Sequence, residues 1–171
     1  MIKIVSSLIV SLVVGLFVFG CSAEKNVATP NMMFQSVNAD EATLVQEGEN
    51  RGSCVRCGMD LVKFYKTSHT AIYNGKKIQY CSLHCLEEHL GEGIELKNPQ
   101  VVDIASLKFI DVSKAYYVVG SSKRGTMSKV SKYAFLDESM AKKFQAEFGG
   151  EIMDFAHARE KAKEDFKHYK N

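Results

Sequence analysis

The 171-residue chain has almost no excess of either charge, since 22 Lys and Arg face 20 Asp and Glu, and the basic residues form no stripe. That absence argues against a nucleic-acid surface, which needs a clustered positive face. Proline is scarce as well, at two residues, and Pro30 lies in a polar stretch. No βαβ unit can be traced around the cysteines. This counts against a thiol-disulfide enzyme, whose first cysteine normally opens a helix in such a frame and has its pKa lowered there. The chain beyond its N-terminus is about one domain long. Most of its ten Phe and all seven Tyr lie in that part, enough for a core.

Charge is nearly missing at the start too. Lys3 is the only charged residue among the first twenty, and the run from Ile4 to Gly20 is apolar or small. The pattern is that of a positive n-region and an h-region. It closes on Val18-Phe19-Gly20-Cys21, a lipobox-like end with small Gly20 before the cysteine, and no Ala-x-Ala site follows. Residues 1–20 are therefore expected to be a lipoprotein signal peptide and Cys21 the acylated residue that meets the lipid bilayer. An ordinary signal peptide is one alternative; the other is an uncleaved anchor, the run being near the ~18-residue lower limit for a span. Either anchor places the rest outside the cytoplasm, and Ser22 suits delivery to the outer membrane of a Gram-negative cell. Residues 21–31 then form the lipidated cysteine and a polar tether reaching on the order of 20 Å, and 32–171 the folded domain.

Asn38, Glu41 and Gly48 have the spacing of a capping box and a glycine stop, which predicts a helix over 39–47. A strand is expected from Lys66 to Tyr73, a type I′ turn at Asn74-Gly75, and a returning strand over 77–80. Ser82 offers an N-cap for a helix with Leu83, Leu86 and Leu90 at helical spacing, ended by Gly91. The same succession recurs: a strand at 115–120, a loop at 121–131, a strand at 132–136, and a helix capped by Asp137 and closed by Gly149-Gly150. Val101–Ile104, Lys108–Val112 and Ile152–Phe155 read as further strands, and 156–169 as a terminal helix. The fold class is α+β, built from two similar strand-strand-helix halves over about 54–98 and 99–171.

Four of the five cysteines are Cys54, Cys57, Cys81 and Cys85, and Met59 follows the first pair in Cys54-Val-Arg-Cys57-Gly58-Met59. Cys-x-x-Cys is a tight bidentate clip, and the junction of hairpin and helix is where the second pair can meet it. The spacing is shared with structural zinc sites, and in an oxidising compartment with one or two disulfides. Met59 favours Cu(I), because a thioether is a poor zinc ligand but a good partner for a soft monovalent ion. Gly58 allows the turn that aims both sulfurs at one ion. Met127, in the 121–131 loop, is the second methionine candidate, whereas Met32, Met33, Met140 and Met153 read as core. His69 is expected to be a packed or surface residue and His157 and His168 to be solvated; on the first helix Cys85 and His89 flank the buried face.

These residues resemble the NosL family, the lipoproteins that accompany nitrous oxide reductase assembly. The likeness rests on the lipobox-like end at Cys21, on Cys57-Gly58-Met59-Asp60-Leu61 (the family's Cys-x-Met-x-Leu signature), and on the far half. There Gly125-Thr-Met127 and Tyr133-Ala-Phe135 precede Ala141-Lys-Lys-Phe144-Gln-Ala-Glu-Phe148-Gly149-Gly150. The resemblance implies a Cu(I) metallochaperone on the periplasmic face of a membrane, not an enzyme, and a fold similar to a domain of organomercurial lyase. Its partners would be a copper donor protein or a copper-receiving apo-enzyme. Cys57 and Met59 match the family's metal motif, and Met127 its second methionine. Cys54, Cys81 and Cys85 depart from the simpler form; Tyr80-Cys81-Ser82-Leu83-His84-Cys85 is similar to the cysteine hook of TRASH-type modules. Two ligand sets follow: Cys57 with Met59, or a larger thiolate cluster. The competing functions are a zinc- or disulfide-stapled interaction domain and a thiol-disulfide oxidoreductase.

Overall fold

The computed structural model describes residues 32–167. The expected signal peptide, Cys21, the tether, His168 and Tyr169 lie outside them. Asn74 and Gly75 take φ of 48° and 77°, the two positive values a type I′ turn requires. They join β1 (His69–Tyr73) to β2 (Lys76–Tyr80) in an antiparallel hairpin. Ser82 caps α1 (Leu83–Leu90), its hydroxyl accepting from the Cys85 N–H. After β3 (Lys97–Asp103) and β4 (Lys108–Asp111), the hairpin of β5 (Tyr116–Val119) and β6 (Lys132–Phe135) leads to α2 (Glu138–Phe148), capped by the Asp137 carboxylate. β7 (Glu151–Met153) and α3 (Phe155–Lys167) complete the described residues.

Each hairpin is thus followed by its helix, and the strands join in one sheet of order β2-β1-β3-β6-β5-β7, with β4 paired to β3. β3 is the seam. It pairs antiparallel with β1 and with β4, and bridges in parallel to β6 through Asp103 and Ala134.

Three expectations are corrected. No helix forms at 39–47; Glu41 accepts from the backbone and side-chain amides of Asn38, but the chain then runs on beside β2, where Val45 N–H donates to Gln79 Oε1 and Gln79 N–H to Gln46 Oε1. The capping motif nucleates one turn, and the Gln46 and Gln79 side-chain amides then hold the chain along β2. The first strand starts at His69 rather than Lys66, because Tyr65–Thr67 form a 3₁₀ turn closed by the Ser68 N–H on the Tyr65 carbonyl. Met32 and Met140, read as core, are exposed, while Met153 packs against the main core.

α1 is buried on nearly every side: His89 packs on Tyr73 and Tyr80 of the hairpin, Cys85 faces Cys81, and α3 covers the face of His84 and Glu87. Glu87 is buried there by a two-pronged ion pair with Arg159, at 2.6 and 3.2 Å. Such planar pairing is the geometry in which a carboxylate tolerates loss of water.

His69 is fully buried, as the packed alternative anticipated, with Nδ1 3.0 Å from the Thr67 carbonyl and Nε2 3.1 Å from the Tyr117 hydroxyl. Burial pushes its pKa down to about 4. Between that value and the ordinary ~6.5 the unfolded chain binds a proton that the folded chain does not, so stability falls as pH drops through this window. The loss expected below pH 4 is about 3 kcal/mol. Denaturant titrations of wild type and His69→Gln between pH 7 and 4 check it; the variant should lose this part of the slope.

Candidate metal centre

The first cysteine pair sits in a knuckle. Ser53 and Asp60 form an isolated antiparallel bridge, and within it the Cys54 N–H donates to the Met59 carbonyl at 2.8 Å and the Gly58 N–H to the Cys54 carbonyl at 2.9 Å. Gly58 takes φ of 72°, the left-handed backbone a side chain resists. Asp60 Oδ1 then accepts from the N–H groups of Val62 and Lys63, turning the chain again, and Leu61 is anchored in the core. The Val55 N–H donates to the Gln79 carbonyl at 3.1 Å, so the knuckle is docked on β2.

The second pair comes from the end of that same strand. Cys81 follows the last residue of β2, and Cys85 lies in the first turn of α1. The partial positive charge at the N-terminal end of a helix favours a thiolate there once a metal displaces the proton. Cys81 Sγ lies 3.5 Å from Cys57 Sγ and 3.7 Å from Cys85 Sγ. All four sulfurs lie within 4.8 Å of one another and all four cysteines are free thiols.

A tetrahedron of thiolates with metal–sulfur bonds of about 2.3 Å has an edge of about 3.8 Å. The donor set therefore fits one ion, with every ligand a soft sulfur. Without metal the sulfurs share protons: hydrogen bonds from the Cys81 and Cys85 thiols push Cys54 toward thiolate. Donating to Cys54, together with burial, holds the Cys81 and Cys85 thiols protonated.

The structure thus brings together Cys54, Cys57, Cys81 and Cys85. Met59 is half-buried against the core that contains Cys54, Cys81 and Cys85. Met127 stands exposed on its loop at φ 60°. That loop is tied to the centre through its neighbour, since Thr126 Oγ1 lies 2.8 Å from the Thr67 hydroxyl, which is 2.7 Å from the Cys81 carbonyl. His89 is not a donor to the cluster; its Nδ1 pairs with the Tyr80 hydroxyl at 2.8 Å and its ring meets Tyr73 edge-on. His84 packs on Phe166, and His157 is exposed.

Sequence reasoning missed Arg56. Lying inside the Cys-x-x-Cys, it reaches Glu92 at 2.6 Å and Glu88 at 3.6 Å and so ties the knuckle to α1. The available signal was a cation between two ligands, with one carboxylate on the helix that supplies a third ligand and another just past the end of that helix.

Fold and centre together define an α+β domain in which four thiols from a knuckle, a strand end and a helix start are placed to hold one metal ion. The profile of the NosL family matches residues 44–162. That is more than half of the chain, which belongs to this family. Among solved structures, the copper chaperone NosL from Shewanella denitrificans matches with a TM-score of 0.53 at 24% identity, over 65% of this chain and 92% of that one. No curated protein matches.

Proposed function

We propose that the protein is a membrane-tethered, extracytoplasmic Cu(I) carrier that passes its ion to a copper-receiving apo-enzyme, with nitrous oxide reductase the expected recipient. The convergence of four cysteine sulfurs within 4.8 Å carries the reading. Thiolates select soft ions, Cu(I) foremost. The solved family member described as a copper chaperone supports the choice of metal and role. The lipobox-like end at Cys21 supports the tether and the location, and the family resemblance supports the recipient.

An oxidoreductase fits less well. Its Cys-x-x-Cys would open a helix and expose the first cysteine; here it lies in a turn and Cys54 is buried.

One observation favours a second reading, a structural zinc staple: the 3.5 and 3.7 Å separations match a zinc-thiolate tetrahedron. The two readings differ in what metal loss does to the fold. Among the described residues, two of the three apolar clusters, around Tyr133 with Phe144 and around Tyr65 with Val102, contain no cysteine. A carrier is expected to keep its far-ultraviolet dichroism and a cooperative melt after chelation under reducing conditions. Anaerobic protein should also take one Cu(I) per chain in competition with bathocuproine disulfonate. Unfolding by chelator, with stoichiometric zinc and no uptake of Cu(I), would favour the staple.

A further inference from the structure

The four cysteines differ in exposure and in how they are held. Cys54 is 3% exposed and Cys81 and Cys85 are 0%, while Cys57 reaches solvent. Cys54 is fixed by both of its backbone hydrogen bonds in the knuckle, Cys81 by the end of β2, and Cys85 by the first turn of α1. Cys57 sits at the outer tip, followed by Gly58, on which a side chain would meet nothing within 4 Å. Its neighbour Arg56 is pinned to Glu88 and Glu92. The base of the knuckle can therefore stay docked while the Cys57 side chain swings.

We propose that the centre works as three plus one. The buried Cys54, Cys81 and Cys85 retain the ion, and Cys57 is the labile donor that sets metal selectivity and opens the site to a partner presenting a thiolate or thioether. The proposal rests on the carrier reading. Its chemistry follows from coordination number: Cu(I), monovalent and soft, is satisfied by three thiolates, whereas Zn(II) in a protein site of this kind takes four ligands. In exchange, the Cu–S bond to Cys57 breaks as a Cu–S bond to the partner forms. The ion stays monovalent throughout. When the incoming donor is a thiol, its proton passes to the departing Cys57 thiolate.

The test uses the full chain, purified anaerobically in detergent, as wild type, Cys57→Ser and Cys85→Ser. Cys57→Ser is expected to lower Zn(II) affinity at least about a hundredfold but Cu(I) affinity less than about tenfold. Cys85→Ser should lose both. In the Cu(I)-loaded wild type, iodoacetamide should modify Cys57 at least about tenfold faster than the three buried cysteines, with copper retained. Equal losses of both metals in Cys57→Ser, or release of copper on alkylation of Cys57, would overturn the three-plus-one assignment while leaving the carrier intact. Failure of the wild type to take Cu(I) would overturn the carrier reading and this assignment with it.

Discussion

Cys81→Ser is expected to reduce metal affinity by at least about a hundredfold, because Cys81 is the sulfur that spans the cluster, 3.5 Å from Cys57 and 3.7 Å from Cys85. Structural zinc sites bind with about 10–16 kcal/mol shared among four ligands, or about 3 kcal/mol for each, and every 1.4 kcal/mol is tenfold. Serine is close to cysteine in size but supplies a hard oxygen, so the variant removes soft-donor character with little change in volume. The metal-free fold should survive. A competition titration with bathocuproine disulfonate measures the loss, and far-ultraviolet dichroism of the apo-protein separates it from misfolding. Retention of wild-type affinity would remove Cys81 from the ligand set and leave Cys57 with Met59 as the remaining alternative.

Asp165→Ala is expected to cost about 3 kcal/mol of folding stability, the lower end of the range for breaking a buried ion pair. The Lys132 amine on β6 lies 2.7 Å from Asp165 Oδ2 on α3, and both side chains are nearly shut off from water. Removing the carboxylate strands a cation that burial already pushes toward its neutral form. The Val130 carbonyl and Ser128 hydroxyl, at 3.1 and 3.2 Å from the amine, keep the cost from reaching the top of the range. Replacing both partners, Lys132→Met with Asp165→Leu, should restore most of the loss, since an apolar pair of similar volume carries no stranded charge. Urea unfolding of the single and double variants gives the comparison. The effect bears on the metal centre because α3 lies over α1, where Arg159 also grips Glu87. An α3 held at both points keeps the helix that carries Cys85 in place.

Much of the fold could be read from local chemistry. Asn74-Gly75 dictated a turn that few other pairs adopt, Ser82 and Asp137 capped the helices they preceded, and Gly149 and Gly150, at φ of 72° and 96°, ended α2. These signals succeed because each is decided within four or five residues. The 39–47 segment failed for the complementary reason. Its capping residues form their hydrogen bonds, yet the side-chain pairing with Gln79, 34 residues away from Val45, outweighs one turn of helix.

For the centre, residue type pointed to sulfur, and Gly58 to a turn between donors. Which donors meet was another matter. Cys57 and Cys81 are 24 residues apart, and only the β1–β2 hairpin, with the knuckle docked on β2, brings them to 3.5 Å. On α1, Cys85 and His89, expected to flank the buried face, are buried against Cys81 and against Tyr73 and Tyr80, while the opposite face meets α3. A periodic stripe of leucines reports one apolar face; it carries no trace of Arg159, 72 residues beyond Glu87, whose pairing lets the other face be covered.

The sequence by itself determined the soft-donor chemistry, the hairpin-and-helix units and the family, because thiol type, turn backbone and cap are properties of a few adjacent residues. Tertiary structure alone decided that four cysteines converge, that three are sealed from water and that Cys57 is left at the surface. Distance and burial are set by how the knuckle, β2, α1 and α3 pack, and packing depends on contacts between residues far apart along the chain.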